Sequence, residues 1–213
     1  MLRESALMEM QQRFSARAGD VFVVSNAPFP GLYRVLVSLV EGRDDPWATD
    51  SLDLPGGAAP FHELVRCCEI GASQLGYDRW QQDADLLPGR RCFKSYHHPA
   101  HLPCRYPFEA RPEDGKPAPK VVVLVADPRS YLKLAWEIMS GWLGLQQSFA
   151  EFLEEYMRIC SSGKAGSSML GGNWIEFLAA WSEEAARNPD TVRLVSADRL
   201  GSLDPKEFAS ELV

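Results

Sequence analysis

The sequence predicts an α/β fold, with one domain built on a central parallel sheet that helices flank. The segment KVVVLVADP at 120–128 is a continuous apolar run that stops abruptly, which is typical of a parallel strand covered on both faces. Residues 20–26 and 191–200 are similar β-rich runs, and helical patterns separate the three. Strands that alternate with helices indicate a parallel sheet with crossover connections.

The first strand and helix lie in the stretch DVFVVSNAPFPGLYRVLVSLV, residues 20–40. Its pattern predicts a buried strand over 20–26, a tight turn, and a helix over 32–41. The same order of strand, turn and helix holds a phosphate in many nucleotide-binding folds. The turn at 26–31 contains no Lys, Ser or Thr, so the side chains expected to hold a phosphate are missing.

The other elements follow from apolar spacing and from Gly- and Pro-rich breaks. We predict helices at 61–76, 129–144, 148–159 and 172–187, a short strand and turn at 91–103, and loops at 42–60, 77–90 and 107–119. Residues 4–17 are amphipathic. They predict an N-terminal helical extension over 1–19, ahead of a single domain over 20–213.

Composition narrows the class of protein. The chain has 213 residues, of which 46% are hydrophobic, so it can bury one sizeable core. A net charge of −7 is unlike that of a general nucleic-acid binder, and we expect no nucleic-acid partner. No apolar run has the length of a membrane span, and the N-terminus lacks the apolar core of a secretory signal. We expect an intracellular, soluble protein, cytoplasmic or organellar after transit-peptide removal.

The five cysteines are odd in number and include no CxxC pair, which favours reduced thiols over a disulfide framework. Cys92 and Cys104 flank His97, His98 and His101. Because this spacing matches no standard zinc pattern, we predict no metal site.

Five blocks in order resemble the cytosolic sulfotransferase family, which transfers a sulfuryl group from PAPS (3′-phosphoadenosine 5′-phosphosulfate) to a hydroxyl or amine. DVFVVSNAPFPG resembles the family's phosphosulfate strand and loop, and KSYHHPAHLP its K-T-H-L-P catalytic segment. KVVVLVADPRSYLKLAW is similar to the strand and helix that hold the 3′-phosphate. Two further blocks of the family follow in order. SFAEFLEEYMRI with GGNWIEFLAAW is similar to the first, and TVRLVSADRLGSLDP is similar to the second.

The resemblance implies that PAPS, or its desulfated product PAP, is the cofactor, but the loop that would hold it is altered. Gly31 matches the family's Gly, whereas Phe29 stands where the family has Lys and Pro30 where it has Ser. Arg34 replaces the family's adenine-stacking Trp and can return some positive charge. We predict that Phe29 fills the phosphosulfate position, and that Gly31 and Arg34 are the cofactor-binding residues left in the loop.

The resemblance implies further losses around the 3′-phosphate. The family's Arg is missing between Ala126 and Asp127, and Ala135 stands where the family has Ser. Arg129 is the candidate substitute for the lost Arg. Ser196 replaces an adenine-contacting Tyr. The family's R-K-G clamp has no counterpart before Val213, which predicts a divergent and C-terminally truncated relative.

The catalytic segment is better preserved. Lys94 matches the family's Lys, and His97 matches its catalytic His if one residue is inserted; without the insertion, Tyr96 occupies that place. Lys94 and His97 are therefore the candidate catalytic residues if the protein is active.

Two functions and one further fold assignment stay open. The coordinated losses predict a non-catalytic, sulfotransferase-like protein that binds a protein partner or joins a larger assembly. The alternative is an active, divergent sulfotransferase that uses PAPS and a small-molecule acceptor. A third possibility is another α/β phosphotransferase with misaligned motifs. Strands at 20–26 and 120–126 that are not sheet neighbours would remove the sulfotransferase resemblance altogether.

Overall fold

We describe the fold from a computed structural model. It describes residues 9–10, 12–14, 16–17, 19–26, 30–40, 67–87, 89–102, 119–144, 146–161, 174–200 and 207.

Four parallel strands form the sheet of the described chain. They are β1 (Val21–Ser25), β2 (Cys92–Ser95), β3 (Lys120–Val125) and β4 (Val192–Ser196). Their order across the sheet is β2-β1-β3-β4. This confirms the predicted single-domain α/β fold with a central parallel sheet.

β1 and β3 are direct neighbours along their whole length. Val24 of β1 lies beside Ser95 of β2 on one side and Val123 of β3 on the other. Separation of these two strands would have removed the sulfotransferase resemblance, and their pairing is consistent with it.

Seven helices are described along the chain. They are α1 (Pro30–Val40), α2 (Cys68–Leu75), α3 (Tyr77–Asp85), α4 (Pro128–Leu143), α5 (Phe149–Ser161), α6 (Trp174–Arg187) and α7 (Ala197–Leu200), and a 3₁₀ turn covers Pro99–His101. α1 begins at Pro30, two residues before the predicted start, because the fixed φ of proline suits the first position of a helix. Of the predicted helix at 61–76, residues 61–66 lie outside the described part, and α2 ends before Gly76 as predicted.

The loop predicted over 77–90 is wrong for residues 77–85, which form α3. Tyr77, Trp80 and Ala84 are buried at helical spacing, so the segment has an apolar face that its many polar residues obscure in the sequence. Arg79 and the buried Asp83 form a 2.9 Å ion pair one helical turn apart, which adds to the stability of the helix.

The strand predicted over 191–200 is also too long, because β4 ends at Ser196 and α7 follows directly. The hydroxyl of Ser196 accepts the backbone N–H of Arg199 at 3.2 Å. A serine that accepts a backbone N–H three residues ahead starts a helix rather than continuing a strand.

Two apolar layers cover the two faces of the sheet. One joins the N-terminal segment, α2, α3 and α6, and its fully buried residues include Phe22, Trp80, Phe93 and Trp181. The other joins α1, α4 and α7 and includes Leu36, Leu124, Tyr131 and Leu200. Burial of each large apolar side chain contributes roughly 1.5–3 kcal/mol, so the two layers supply the main stabilisation of the fold. Among the helices described, none combines the length and the apolar character needed to cross a membrane.

Candidate functional site

The order of the strands identifies one edge of the sheet as the place for a ligand. The chain passes from β1 to β2 on one side and then crosses to β3 on the other side of β1. In open parallel sheets, ligands bind outside the carboxyl ends of the strands at such a switch point. The candidate site is therefore the carboxyl edge, where β1 ends at Ser25, β2 at Ser95 and β3 at Val125.

Asn26 follows β1 at this edge and is buried, with only 4% of its surface exposed. Within the described part of the chain, its side-chain Nδ2 has no hydrogen-bond acceptor. A buried amide left without a partner costs roughly 1–3 kcal/mol, so few such groups occur in native proteins. The sequence analysis did not single out Asn26; a polar residue at the end of a buried strand is the signal that would have identified it.

The rest of the β1–α1 turn is only partly described. Gly31 and Arg34 lie on α1, in its first turn and a half, but the side chain of Arg34 is outside the described part of the chain. Phe29 is outside them as well, so its predicted position in the phosphosulfate site stays a prediction.

The N-terminus of α4 lies at the carboxyl end of β3, and its backbone donors are already bound. The carboxylate of Asp127 accepts the N–H of Arg129 at 2.9 Å and also a backbone hydrogen bond from Ser130. Pro128 has no N–H. The N–H of Asp127 itself donates to the carboxylate of Asp198, on α7, at 2.6 Å.

Arg129, the candidate substitute for a phosphate-binding Arg, is bound to Asp127 as well. Its Nε and Nη2 atoms donate to the two carboxylate oxygens at 2.9 and 3.1 Å. This side-chain contact, together with the backbone donors, lowers the pKa of Asp127 to about 2, so the carboxylate is ionised at neutral pH. The end of α4 therefore presents a bound ion pair and the carboxylate of Asp198.

Trp174 and Ala135 define the surroundings of this helix end. The indole N–H of Trp174 donates to the carbonyl of Ala126 at 3.2 Å, and the phenol of Tyr156 accepts the backbone N–H of Trp174 at 3.3 Å. Ala135 is fully buried. A ring from α6 thus contacts the backbone directly after β3, and the methyl group of Ala135 offers no hydroxyl at the position where the sequence resemblance implies Ser.

At the end of β2, Lys94 lies on the α1 side of the sheet between two tyrosine rings. Its Nζ is 4.8 Å from the ring centre of Tyr96 and 5.5 Å from that of Tyr33. Side chains two residues apart on an extended chain share a face, which places Tyr96 rather than His97 beside Lys94.

His97 belongs to a different neighbourhood. Its backbone N–H donates to the hydroxyl of Ser95 at 3.2 Å, and its carbonyl accepts the indole N–H of Trp181 of α6 at 3.2 Å. Its ring centre is 6.2 Å from that of His101. The structure therefore brings Lys94 and Tyr96 together and places His97 among histidines near α6.

The pKa of the neighbouring His98 imidazole lies below its usual value, mainly because burial disfavours the charged ring and also because His101 is close. Its ring packs edge-on against Phe177, 6.4 Å between centres. Within the described residues, no three His, Cys, Asp or Glu side chains are grouped as a metal site.

Comparison with known proteins identifies solved structures with a similar fold. No protein-family model matches the chain, and no curated protein does. Solved structures do match. Mouse sulfotransferase SULT7A1, complexed with PAP, aligns at a TM-score of 0.60 and 15% identity over 100% of this chain and 63% of that one.

Two further structures agree. A putative steroid sulphotransferase of Arabidopsis thaliana aligns at a TM-score of 0.60 and 16% identity, over 92% of this chain and 61% of that one. Retinol dehydratase, in a complex with retinol and PAP, aligns at 0.57 and 16% identity, over 100% of this chain and 65% of that one. The chain thus has the sulfotransferase fold, as the sequence resemblance implied, and spans less than two thirds of the length of these proteins.

Proposed function

We propose that this protein is a sulfotransferase-like protein with a degenerate PAPS site, and that it binds a protein partner instead of catalysing sulfuryl transfer. The observation that carries the proposal is the N-terminus of α4. The sequence resemblance assigns β3 and this helix to the cofactor's 3′-phosphate, and the backbone donors here already bind the carboxylates of Asp127 and Asp198.

The charges at the N-terminus of α4 also support the loss of phosphate binding. A phosphate is stabilised by cations and N–H donors, and a nearby carboxylate opposes it. Arg129 donates to both oxygens of Asp127, so a phosphate would have to compete with an intact ion pair. With Asp127 ionised and Asp198 beside it, two acidic side chains occupy the helix end that an anionic cofactor needs.

The base position supports the proposal independently. Tyr96, and not His97, lies beside Lys94. Histidine is the side chain used most often as a general base, so the residue beside Lys94 is not the usual one. Since His97 lies near α6 instead, the pair that the related enzymes use is divided between two neighbourhoods in this chain.

Isothermal titration calorimetry with PAP tests the proposal. We expect no binding heat at millimolar PAP, and the mouse sulfotransferase crystallised with PAP serves as the positive control in the same buffer. A dissociation constant tighter than roughly 100 μM would overturn the proposal.

The second candidate is an active, divergent sulfotransferase, and it is favoured by the Asn26 amide, a donor without an acceptor at the carboxyl end of β1. In that reaction the sulfur–oxygen bond to PAP breaks, the sulfuryl group bonds to the acceptor oxygen, and a base takes the acceptor's proton. Transfer from labelled PAPS that falls more than tenfold in both Lys94→Met and His97→Ala variants would establish it. Transfer that persists in both variants would not.

A further inference from the structure

The outer edge of β4 is the surface that we propose binds a partner: an extended, acidic segment of another protein that adds to the sheet as a fifth strand. This inference rests on the proposed partner-binding function and names the surface and the chemistry of the partner. It draws on the hydrogen bonding of β4, on the shape of the groove beside it, and on its charge.

β4 is the last strand of the described sheet, and its bonds to β3 show which groups point away from it. The N–H of Val121 donates to the carbonyl of Thr191 at 2.8 Å, so Thr191, Arg193 and Val195 are the residues whose backbone groups face β3. The N–H of Val192 instead bonds to Asn188 at 2.9 Å. It follows that both backbone groups of Leu194 face outward, where an added strand can bind them.

A groove of about 160 Å³ lies along this edge. Its lining residues are Arg193, Leu194, Val195, Ser196, Arg199 and Leu200. These described residues all come from β4 and α7, so they place the groove at the edge of β4. The groove brings together this strand edge, the half-buried side chain of Leu194 and the exposed side chain of Arg193.

The charge of the groove selects an acidic occupant. The chain as a whole has a net charge of −7, yet the charged residues among the described lining of the groove are the arginines Arg193 and Arg199. Arg193 is exposed, and it forms no ion pair within the part of the chain that the structure describes. Arginine at the rim of a binding surface attracts carboxylates and orients them through its planar set of donors.

A second copy of the chain fits this edge poorly. If two β4 strands paired around a two-fold axis, each would bring Arg193 and Arg199 to the same interface. Like charges that face one another across paired strands are destabilising. A strand with acidic side chains on one face and apolar side chains on the other suits the groove better, because it pairs with Leu194 and places carboxylates beside the arginines.

A fluorescein-labelled octapeptide of alternating Glu and Val tests the proposal by fluorescence anisotropy. We expect a dissociation constant on the order of 100 μM at low salt, which weakens when the ionic strength rises from about 0.05 M to about 0.5 M. The variant Arg193→Glu is expected to weaken binding at least tenfold. The control variant Lys133→Glu makes the same charge change on the exposed face of α4 and is expected to change nothing.

Two matched reagents keep the test decisive. Arg193→Gln retains the length of the side chain without its charge and is expected to weaken binding even if Arg193→Glu does not fold. A peptide with Lys in place of Glu is expected not to bind. Absence of binding at about 1 mM peptide, equal binding of both peptides, or equal binding by the Arg193 variants would overturn the proposal.

Analytical ultracentrifugation of the chain alone distinguishes the competing occupant. A dimer that dissociates in Arg193→Glu would show that a second copy occupies the edge, and would overturn the proposal. PAP calorimetry on the same sample separates the two inferences. Peptide that fails to bind while PAP also fails removes only this surface, whereas PAP that binds removes the proposed function.

Discussion

The two ends of the same sheet differ in how their polar groups are satisfied. At the amino end, Arg91 is fully buried just before β2 and binds Asp20, just before β1, through Nε at 2.9 Å and Nη2 at 2.5 Å. Its Nη1 binds Asp85 of α3 at 2.9 Å. The guanidinium also stacks over Phe14 and Phe93, with distances of 5.5 and 5.2 Å to the ring centres.

At the carboxyl end, the buried amide of Asn26 has no acceptor within the described residues. At the same edge of the sheet, after β3, the carboxylates of Asp127 and Asp198 bind the backbone donors at the start of α4. Both ends carry charge, but the amino end joins β1, β2 and α3 through one arginine, whereas the carboxyl end keeps an unsatisfied group. The amino end is thus built for stability, and the carboxyl end retains the cost typical of a functional position.

Arg91→Met tests the amino end of the sheet, where we expect the largest change in stability. We expect the free energy of unfolding to fall by about 3–5 kcal/mol, because the variant leaves the buried carboxylate of Asp20 without its charged partner. Urea denaturation measures the change. Arg158→Ala, which removes an exposed ion pair with Glu155, is the control and is expected to change stability far less. Equal losses of stability in the two variants would contradict the stabilising role of Arg91 at the amino end of the sheet.

Asn26→Leu tests the carboxyl end of the sheet, where we expect the stability of the fold to rise and not to fall. Replacing an unsatisfied buried amide with an apolar group of similar size removes a desolvation cost, so the free energy of unfolding should rise by about 1 kcal/mol. The same urea denaturation shows the change. A loss of more than about 1 kcal/mol would mean that Asn26 holds the fold together as Arg91 does.

The Asp127–Arg129 contact predicts a specific pH dependence. The folded state lowers the pKa of Asp127 to about 2 from 3.8, so this carboxylate stabilises the fold above about pH 4, and the contribution is lost as the pH falls towards 2. Carbon-13 NMR of the Asp127 carboxyl should show a midpoint near 2 in the native protein. In Arg129→Gln the midpoint should move up towards 3.8, and an unchanged midpoint would show that Arg129 is not its cause.

Substitution of His98 is expected to change the pH dependence of stability by the smallest amount among these variants. Burial and His101 lower its pKa below 6.5, so the folded state favours the neutral ring. The resulting stability is complete above about pH 6.5 and is lost as the pH falls below it. Between pH 7.5 and pH 5, urea denaturation of His98→Gln should show a smaller loss than the native chain; losses of the same size would contradict the assignment.

The sequence predicted the parts of the fold that depend on local pattern. The apolar runs at 20–26 and 120–128 form β1 and β3, as predicted. They could be recognised because a parallel strand that is buried on both faces is a nearly continuous apolar run. α3 was missed because its apolar face has only a few buried residues among many charged ones. The pairing of Arg91 with Asp20 joins residues 71 positions apart, and no local pattern predicts such a contact.

The candidate site was predicted less completely, for a related reason. Lys94, Tyr96 and His97 were all identified from the sequence, but their grouping depends on which face of the sheet each side chain leaves and on where the strand ends. Arg129 was identified as the candidate substitute for the missing Arg, but its pairing with Asp127, two residues away, was not predicted. Asn26 was not identified, since the lack of a partner is a property of the folded surroundings alone.

Titration of PAP into the nitrogen-15-labelled chain, followed by amide NMR, tests the central claim most directly. The claim is that the backbone donors of Asp127, Arg129 and Ser130 are bound by internal carboxylates and are closed to a cofactor phosphate. The account predicts that these three amide signals do not shift at millimolar PAP. Saturable shifts of these signals together with the side-chain amide of Asn26 would contradict it and would indicate a working cofactor site.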